Sequence, residues 1–357
     1  MKLIIQIPCY NEEATLAETL AALPRTLPGV DVIETLIIDD GSTDRTGDVA
    51  REAGATYLLR IPMNVGLASA FSAGIDAALK LGADIIVNTD ADHQYPGADV
   101  GRLIAPILAG VNDMVIGDRQ PHTKPSFGPW KRFLQRAGSW VVRQLSGTSV
   151  PDAASGFRAF SRRAALRLNV FTRFTYTLET IIQAGKKHIA VGHVQIETNP
   201  DRRPSRLFSS VGTYLRRSIV TIVRIYALYE PLKVFWTVAA VCIVGGILIV
   251  ARWFSDYLVD GGAGHIQSLI IAAVLIIIGV QTMLIGLVAD LIGSSRALLE
   301  DLLVRVREIE LRAAAEDDDK ALATGNPEVV RLAPGDPEIV RLDSLPRSRA
   351  EGGRGPR

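Results

Sequence analysis

The sequence predicts an α/β fold with a mostly parallel sheet, followed by amphipathic segments and a hairpin of two membrane-spanning helices. Three observations lead to this prediction. Over residues 1–200, short β-rich segments alternate with amphipathic helical segments, and clusters of polar residues follow the predicted strands. Two long apolar segments come later, in a chain whose mean hydropathy is +0.22. Alternating βα units are typical of a parallel sheet with helices on both faces.

Five segments rich in aliphatic residues are predicted as strands. They cover residues 3–8, 34–40, 57–61, 83–90 and 113–119. Segments with apolar residues at helical spacing lie between them and are predicted as helices. These cover residues 12–23, 44–53 and 67–81. In such folds the functional residues lie at the carboxyl ends of the strands, and "PCYNEE", "DDGSTDRT", "TDADHQ" and "GDR" all fall there.

Two apolar segments, residues 232–253 and 266–291, are each long enough to cross roughly 30 Å of hydrocarbon. The connector "SDYLVDGGAGH" contains no Lys or Arg, whereas both outer flanks are rich in arginine. The positive-inside bias therefore predicts that both termini lie in the cytosol. Trp236, Trp253 and Tyr257 are placed like interfacial aromatic residues.

Three further segments surround this hairpin. Residues 201–230 carry six arginines and an apolar stripe, which favours a helix on an anionic bilayer surface, with a solvated helix face as the alternative. Residues 293–315 are predicted to form an amphipathic helix that returns along the cytosolic side. The tail, residues 316–357, is rich in Pro, Gly and charge and contains the echo "PEVVRL" and "PEIVRL"; it is predicted to be disordered.

Charge and cysteine content narrow the class of protein. The net charge of +1 gives no global bias toward nucleic acid. Cys9 and Cys242 lie far apart in the chain, which excludes a disulfide framework and fits a reducing compartment. The first segment, "MKLIIQIPCYNEE", is too short for the apolar region of a signal peptide, so the residues before the first span are predicted to stay in the cytosol.

The stretch "NTDADHQYP" contains the strongest chemical signal. In an extended segment alternate residues point to the same side, so Asp90, Asp92 and Gln94 can converge on one point. Mg²⁺ in proteins is usually held by one or two carboxylates plus substrate phosphates. At the end of a strand in a parallel α/β array, this pattern predicts a site for a metal-bound diphosphate. A polar turn without a ligand is the alternative.

Six ordered motifs resemble those of the family-2 glycosyltransferases. They are "IPCYNEE", "IIDDGSTDRT", "NVGLASAFSAGI", "NTDADHQYP", "GDR" and "DAASGFRAFSRRA". The closer likeness is to the polyprenyl-phosphate branch, which includes dolichol-phosphate mannose synthase and bacterial undecaprenyl-phosphate glucosyltransferases, and it covers roughly residues 1–230. The resemblance implies a Rossmann-like nucleotide-sugar-binding domain of the GT-A type. It also implies inverting transfer of a hexose from a UDP- or GDP-linked sugar to polyprenyl phosphate at the cytoplasmic membrane.

The resemblance also assigns roles to individual residues. It assigns the nucleotide sugar to Pro8, Tyr10, Glu12, Ile38, Asp40, Asp90, Ala91, Arg119, Arg203, Ser205 and Arg206. It assigns catalysis to Asp92, Arg119, Arg132 and Arg203, with Arg202 as the alternative to Arg203. It assigns Mg²⁺ or Mn²⁺ to Asp92 and Gln94. Association of the chain with copies of itself is left open.

Several of these motif residues have a simpler interpretation. Asn11 and Glu12 suit the entry of the first helix, Asp39 and Asp44 a turn, and Arg158 an ion pair within the fold. His93 is open as a ligand. Cys9 is assigned to packing, and Ala154 removes any hydroxyl contact at its position.

The lipid-phosphate acceptor has a chemical consequence. A phosphate monoester with a second pKa of about 6 is already mostly dianionic at pH 7, so no general base is needed. Glu179 therefore orients substrate or is structural, although relatives that act on hydroxyl groups keep a base nearby. Two other functions remain as alternatives: a processive or hydroxyl-directed polysaccharide glycosyltransferase, and a membrane-tethered sugar-nucleotide sensor without turnover.

Overall fold

The computed structural model describes most of the chain. The described residues are 1–120, 142–143, 146–170, 176–199, 220, 229–260, 266–324, 329–330 and 339–342. They divide into two compact units. The first comprises Met1–Val211 and Val304–Arg357, and the second comprises Gly212–Leu303.

The first unit is built on a nine-stranded sheet. Its strands are β1 (Lys2–Cys9), β2 (Val32–Asp40), β3 (Tyr57–Ile61), β4 (Ile85–Asn88), β5 (Met114–Asp118), β6 (Arg158–Ser161), β7 (Val191–Gln195), β8 (Val329–Val330) and β9 (Ile339–Arg341). Their order across the sheet is β7-β5-β6-β4-β1-β2-β3-β9-β8. Strands β4, β1, β2 and β3 pair in parallel, whereas β6 runs antiparallel to both β4 and β5. The predicted α/β fold with a mostly parallel sheet is confirmed.

Helices cover the sheet of this unit. They are α1 (Leu16–Ala22), α2 (Thr46–Glu52), α3 (Leu67–Lys80), α4 (Val100–Leu108), α5 (Arg162–Arg167) and α6 (Tyr176–Lys186). Strand β1 lies in the middle of the sheet, and its residues from Leu3 to Cys9 are all buried. Burial on both faces explains why this strand reads as a continuous apolar run rather than as an alternation.

The structure shortens two of the predicted elements. The segment 83–90 is a strand only over Ile85–Asn88, so Asp90 lies in the loop that follows. The segment 12–23 becomes helical only at Leu16, because the preceding residues form a turn in which the amides of Thr15 and Leu16 donate to the carbonyl of Glu12. Both changes lengthen the loops at the carboxyl edge of the sheet.

The tail was predicted to be disordered over residues 316–357, and the structure differs from this prediction. The two echoed repeats supply β8 and β9, which pair with each other, and β9 adds antiparallel to β3. Ile339 and Leu342 are buried, and the amide of Leu342 donates to the carbonyl of Thr56. Without β9, β3 would present an unpaired edge to solvent, so pairing with an apolar segment of the same chain satisfies it.

The second unit contains α7 (Pro231–Asp260) and the first part of α8 (Ile266–Thr324). Both helices contain stretches long and apolar enough to cross a membrane, each with a mean hydropathy of 2.6. Two glycines allow α7 and α8 to pack closely: a Cβ at Gly246 would lie 2.7 Å from Ile276, and one at Gly279 would lie 2.5 Å from Ile243. Small residues have this role in membrane helix pairs.

The helix predicted separately over residues 293–315 is part of α8 in the structure. Helix α8 is continuous for 59 residues, about 88 Å at 1.5 Å per residue. No proline interrupts the segment, and a single glycine, Gly293, is too weak a breaker to end a helix. The predicted interface segment 201–230 lies outside the described residues except for residues 220, 229 and 230.

Candidate active site at the carboxyl ends of the strands

The loops after β1 and β2 are tied together by Asn11. Its amide donates to Ser42 Oγ at 3.0 Å, and its Oδ1 accepts from the amide of Thr43 at 2.8 Å. Asn11 has a φ of 55°, a left-handed conformation that Asn tolerates better than most residues. The interpretation of Asn11 as a cap of the first helix is therefore wrong: Thr15 holds the N-cap position, and Asn11 joins two loops.

Glu12 lies at the entry of α1, as its simpler interpretation expects. Its amide donates to Thr46 Oγ1 at 2.8 Å, and its Oε2 accepts from Thr15 Oγ1 at 3.1 Å. The loop residue Glu13 donates its amide to Asp44 at 3.2 Å. Glu12 is thus bonded to Thr15, the N-cap of α1, and to Thr46, the first residue of α2.

Three carboxylates at or just after the end of β2 accept hydrogen bonds from backbone amides. Asp39 accepts from Ser42 at 2.9 Å, and Asp44 accepts from Thr46 at 3.0 Å. Hydrogen bonds from Thr46 and Glu13 hold the pKa of Asp44 below its usual value, although partial burial opposes this. Both residues shape the turn.

Asp40, assigned by resemblance to the nucleotide, accepts from the amides of Val65 at 2.8 Å and Gly66 at 2.9 Å. Its two oxygens thereby hold the loop that leads into α3.

The other residues assigned to the nucleotide pocket lie at the same edge of the sheet. Pro8 and Ile38 are register partners on β1 and β2, and both are buried. Tyr10, in the next loop, is 45% exposed. Ala91 is buried, and its carbonyl accepts from Thr19 Oγ1 at 3.0 Å. The structure thus places three buried apolar residues and one exposed aromatic ring at this edge of the sheet.

Asp90 lies in a crowded, partly buried position just beyond β4. A Cβ at Gly156 would lie 2.9 Å from Asp90 Oδ2 and 3.0 Å from the hydroxyl of Tyr176, so only glycine fits beside this carboxylate. Among the residues that the structure describes, none donates a hydrogen bond to Asp90. Burial first, and the negative charge of Asp92 second, raise the pKa of Asp90 to about 7.

Asp92 and Gln94 lie in a turn whose backbone is hydrogen-bonded by Asn199. The amide of Gln94 donates to Asp92 Oδ1 at 3.1 Å. Asn199 donates its own amide to the carbonyl of Gln94 at 2.9 Å and its Nδ2 to the carbonyl of His93 at 2.8 Å. His93 has a φ of 58°, and its ring lies 3.7 Å from Glu18. Sequence reasoning missed Asn199, which is distant in the chain.

The donor set fits a cation that arrives with a substrate better than a resident one. In the described part of the chain no group of three or more His, Cys, Asp or Glu side chains could hold a metal ion. Asp92 and the amide oxygen of Gln94 are hard oxygen ligands, and Asp90 and Asp92 repel each other strongly enough to shift a pKa. A divalent cation with diphosphate oxygens as further ligands suits such a site.

Arg119 is fixed by Asp152 in a two-point ion pair. Nε donates to Oδ2 at 2.7 Å and Nη2 donates to Oδ1 at 3.1 Å. Burial opposes both charges, but Arg119 holds the pKa of Asp152 below its usual value, while Tyr95 and Asp152 raise the pKa of Arg119. Arg119 also lies close enough to Asp90 to lower its pKa in part. The "GDR" and "DAASGF" motifs therefore meet at one point, and Asp152 was not among the predicted site residues.

Arg158 is fully buried, and the structure corrects its interpretation as half of an ion pair. Its guanidinium donates to three carbonyls and one hydroxyl, those of Ala153, Ser155, Thr177 and Thr180. No carboxylate of the described residues lies within ion-pair distance of it. Burial lowers the pKa of Arg158 to about 10, so it stays charged at pH 7. It fastens the "DAASGF" loop to α6.

A buried network of polar side chains lies next to Asp90. Asn88 Nδ2 donates to the carbonyl of Gly156 and to the hydroxyl of Tyr176, each at 2.9 Å, and Asn88 Oδ1 accepts from Gln6 at 2.9 Å. The amide of Gly156 donates to the hydroxyl of Tyr95 at 3.2 Å. This network fixes the backbone at Gly156, against which Asp90 lies.

The remaining motif residues have structural surroundings. Glu179 is buried on α6, where its Oε1 accepts from Gln183 at 3.2 Å. Cys9 is buried, its thiol donates to the carbonyl of Ile7, and burial raises its pKa well above the ordinary value. Ala154 donates its amide to Asp152 at 3.3 Å. Arg132, Arg202, Arg203, Ser205 and Arg206 lie outside the described residues.

Comparison with known proteins agrees with this geometry. Residues 4–168 match the family described as Glycosyl transferase family 2, and residues 230–295 match the GtrB C-terminal hairpin. An uncharacterized glycosyltransferase of Mycobacterium tuberculosis is 32% identical over 223 residues, which cover 61% of this chain and 93% of that protein. The undecaprenyl-phosphate mannosyltransferase of Micrococcus luteus is 34% identical over 166 residues, which cover 45% of this chain and 66% of that protein.

A solved structure is similar in fold. Glucosyl-3-phosphoglycerate synthase from Mycobacterium tuberculosis, crystallised with Mn²⁺ and UDP-glucose, superposes with a TM-score of 0.51. The match is 22% identical and covers 63% of this chain and 79% of that one. This likeness identifies the first unit as a Rossmann-like domain of the GT-A type.

Proposed function

The chain belongs to glycosyl transferase family 2, and from this premise we propose that it is a membrane-bound inverting hexosyltransferase. It moves a hexose from a nucleotide-diphosphate sugar to polyprenyl phosphate, and its product is a polyprenyl-phosphate-linked monosaccharide. The similarity to an undecaprenyl-phosphate mannosyltransferase and the match to the GtrB hairpin support this acceptor.

The observation that carries the proposal is the fixed guanidinium of Arg119 near the crowded carboxylate of Asp90. Arg119 is held at two points by Asp152, and its charge reaches Asp90. A guanidinium fixed in advance needs no reorganisation when a phosphate arrives, which is what electrostatic catalysis requires. The site therefore suits the meeting of two phosphate-bearing substrates.

On the donor side, we assign the base and ribose to Pro8, Tyr10 and Ile38, of which Tyr10 has the exposed ring. Mg²⁺ or Mn²⁺, when bound by Asp92 and Gln94, would neutralise the donor diphosphate. Asn199 keeps the backbone of this turn in place through Gln94 and His93. The proposed donor contacts also include Glu12, Asp90, Ala91, Arg203, Ser205 and Arg206, whereas both oxygens of Asp40 hold the loop before α3.

On the acceptor side, the chain supplies position and positive charge. A phosphate oxygen of the acceptor forms a bond to the anomeric carbon, and the bond to the nucleotide diphosphate breaks. The nucleotide diphosphate leaves with the electron pair, and the anomeric carbon inverts. Because the acceptor phosphate is already ionised at pH 7, no side chain has to take a proton. Arg119 is the proposed contact to phosphate, with Arg132 as a second one.

The reaction needs a membrane because the acceptor is a lipid. We propose that α7 and α8 each cross the bilayer, with both termini and the catalytic unit in the cytosol. The length and hydropathy of the two helices support the spans. The arginine-rich flanks and the connector without Lys or Arg support the sidedness.

Two alternatives are less well supported. A processive polysaccharide synthase needs a channel for its product, and two spans provide little material for one. A sensor without turnover would have no use for a guanidinium held rigidly at the reaction centre. In the described residues, the Arg119–Asp152 pair and the turn around Asp92 are both intact.

Transfer of labelled sugar to a chloroform-soluble lipid tests the proposal. Membranes that contain the full chain are supplied with labelled UDP-glucose, GDP-mannose or UDP-N-acetylglucosamine, polyprenyl phosphate and Mg²⁺ or Mn²⁺. One donor is expected to label the lipid, and the double variant Asp92→Ala with Gln94→Ala to lose the signal. Asp48→Ala, on the exposed face of α2, is the matched control and should keep it. Label in a water-soluble polymer, or an undiminished rate in the double variant, would overturn the proposal.

A further inference from the structure

Helix α8 carries an exposed stripe of apolar side chains. The stripe consists of Leu299, Leu302, Val306 and Ile309, which are 62%, 56%, 50% and 67% exposed. Their spacing of three, four and three residues is that of the a and d positions of a coiled coil. Four large apolar side chains in this pattern are costly to leave in water.

The opposite face of α8 contacts α3 and α5. Arg307 pairs with Asp76 at 3.3 Å and donates to the carbonyl of Leu166, and Val304 lines a cavity beside α5. At about 100° per residue, Leu302 and Val306 lie about 160° and 200° around the helix from Val304. The stripe is therefore centred opposite to Val304, away from the face of α8 that contacts Asp76 and Leu166.

A lipid surface does not suit the stripe either. The apolar run from Ile266 to Ile292 spans about 40 Å as a helix, which already exceeds a hydrocarbon core of roughly 30 Å. Because α8 is a single helix, Ile309 lies about 25 Å further along the same axis. The in-plane helix expected over residues 293–315 would require a break in α8.

We propose that the stripe pairs with the same stripe of a second copy of this chain, in a parallel coiled coil. The charges beside the stripe fit this occupant. With Leu299 and Val306 at a positions, Arg305 occupies g and Glu310 the e position of the next heptad. In a parallel pair, Arg305 of one copy therefore meets Glu310 of the other.

The membrane favours the same orientation. Two copies inserted with the same topology bring their α8 helices out of the bilayer side by side and in parallel. An antiparallel pair in which Leu299 meets Ile309 would place Arg305 near Arg305 of the other copy, where like charges repel. The stripe is short, so confinement to the bilayer must supply the effective concentration that a soluble peptide of this length would lack. The inference rests on the proposed membrane insertion and does not depend on the reaction.

Cysteine crosslinking in liposomes tests the pairing independently of turnover. In full-length protein with Cys242→Ser, oxidation is expected to join two copies through Leu302→Cys and through Val306→Cys. Asp301→Cys, an exposed position off the stripe, is the matched control and is expected to stay monomeric. Mixing Leu299→Cys with Ile309→Cys tests the antiparallel arrangement, which is expected to give no mixed product.

A charge swap tests the register. Arg305→Glu is expected to weaken association in the bilayer about tenfold, and Arg305→Glu with Glu310→Arg to restore it. Equal crosslinking at Asp301→Cys, or none at either stripe position, would overturn the proposal. If brominated lipid quenches the fluorescence of Leu302→Trp above that of an Asp301→Trp control, the membrane covers the stripe instead. A chain that transfers sugar without crosslinking would overturn this inference and leave the proposed function standing.

Discussion

The carboxylates at the two ends of the candidate site are used differently. At the end of β2 and in the loop that follows, Asp39, Asp40 and Asp44 accept hydrogen bonds from backbone amides and build the loops. After β4, Asp90 receives no hydrogen bond from the described residues, and its pKa is raised to about 7. The first group is bonded within the fold, and the second oxygen of Asp39 pairs with Arg60 at 3.5 Å. The second group is held in a strained arrangement that a positively charged partner would relieve, which is the sign of a functional position.

Among the variants that test this contrast, Asp90→Asn is expected to have the largest effect on stability and transfer. The raised pKa means that the carboxylate destabilises the fold once it ionises, so the penalty is absent below pH 4, grows with pH and is complete above about pH 7. About three pKa units at about 1.4 kcal/mol each set an upper limit of about 4 kcal/mol. In the absence of substrate and metal, the variant should therefore melt at a higher temperature than the parent at pH 8 and at the same temperature at pH 4. Its sugar transfer should be lost.

Asp48→Asn is the control for this measurement, because Asp48 is exposed on α2 and should show no such pH dependence. An Asp90→Asn variant that melts below the parent at pH 8 would mean that Asp90 is as well satisfied as the carboxylates after β2. The contrast between the two ends of the site would then disappear.

Asp152→Asn is expected to slow transfer about a hundredfold, which corresponds to about 2.7 kcal/mol of transition-state stabilisation. Asparagine loses the charge and one of the two hydrogen bonds that hold Arg119. Because Asp152 acts by positioning Arg119, kcat should fall while KM for the donor changes little. Steady-state kinetics at fixed polyprenyl phosphate measures both.

The matched control for Asp152 is Asp113→Asn. Asp113 forms the same kind of two-point pair with Arg163, but that arginine side chain is 72% exposed and lies away from the site. Loss of this pair should leave kcat within twofold. Equal kinetic losses in the two variants would show that the Arg119–Asp152 pair acts through general stability.

Asp40→Asn tests whether the carboxylates at the end of β2 have a structural role. Only one of the two amides of Val65 and Gly66 can keep its acceptor, so the free energy of unfolding should fall by about 1–2 kcal/mol. Transfer measured well below the melting temperature should persist. Thermal melts and activity assays at 15 °C separate the two effects. An unchanged melting temperature with lost transfer would instead support the nucleotide contact that the resemblance assigned to Asp40.

Glu179→Gln should have the smallest effect. The side chain is buried beside Gln183, and an acceptor phosphate ionised at pH 7 needs no base. Turnover within twofold of the parent between pH 6.5 and 8.5 is expected. Complete loss of turnover would indicate general-base chemistry and therefore a hydroxyl acceptor.

Local sequence patterns predicted the parts of the fold that depend on neighbouring residues. The alternation of strands and helices and both long apolar helices were accessible from periodicity and spacing. Periodicity placed Asp90 in a strand that continues as an extended segment, whereas Asp90 and Asp92 lie in the loop after β4. The residues that were missed act over long separations. Asp152 reaches Arg119 from 33 positions away, and Asn199 reaches His93 from 106 positions away. No periodicity marks such partners.

The pairing of the tail was also missed because its partner is distant in the chain. Its composition is that of a disordered segment, and the few apolar residues of each repeat are too few to fold alone. An unpaired edge at β3 gives one repeat a place to bind, and this edge is a property of the folded sheet. The echoed motif was visible in the sequence, but its partner was not.

A direct comparison of two acceptors tests the central claim, that an ionised phosphate attacks the sugar without a base. Purified full-length protein in liposomes is given the donor that labels the lipid, with either polyprenyl phosphate or the corresponding polyprenol. The account predicts labelled lipid with the phosphate and none with the alcohol. Labelling of the alcohol at a comparable rate would contradict it.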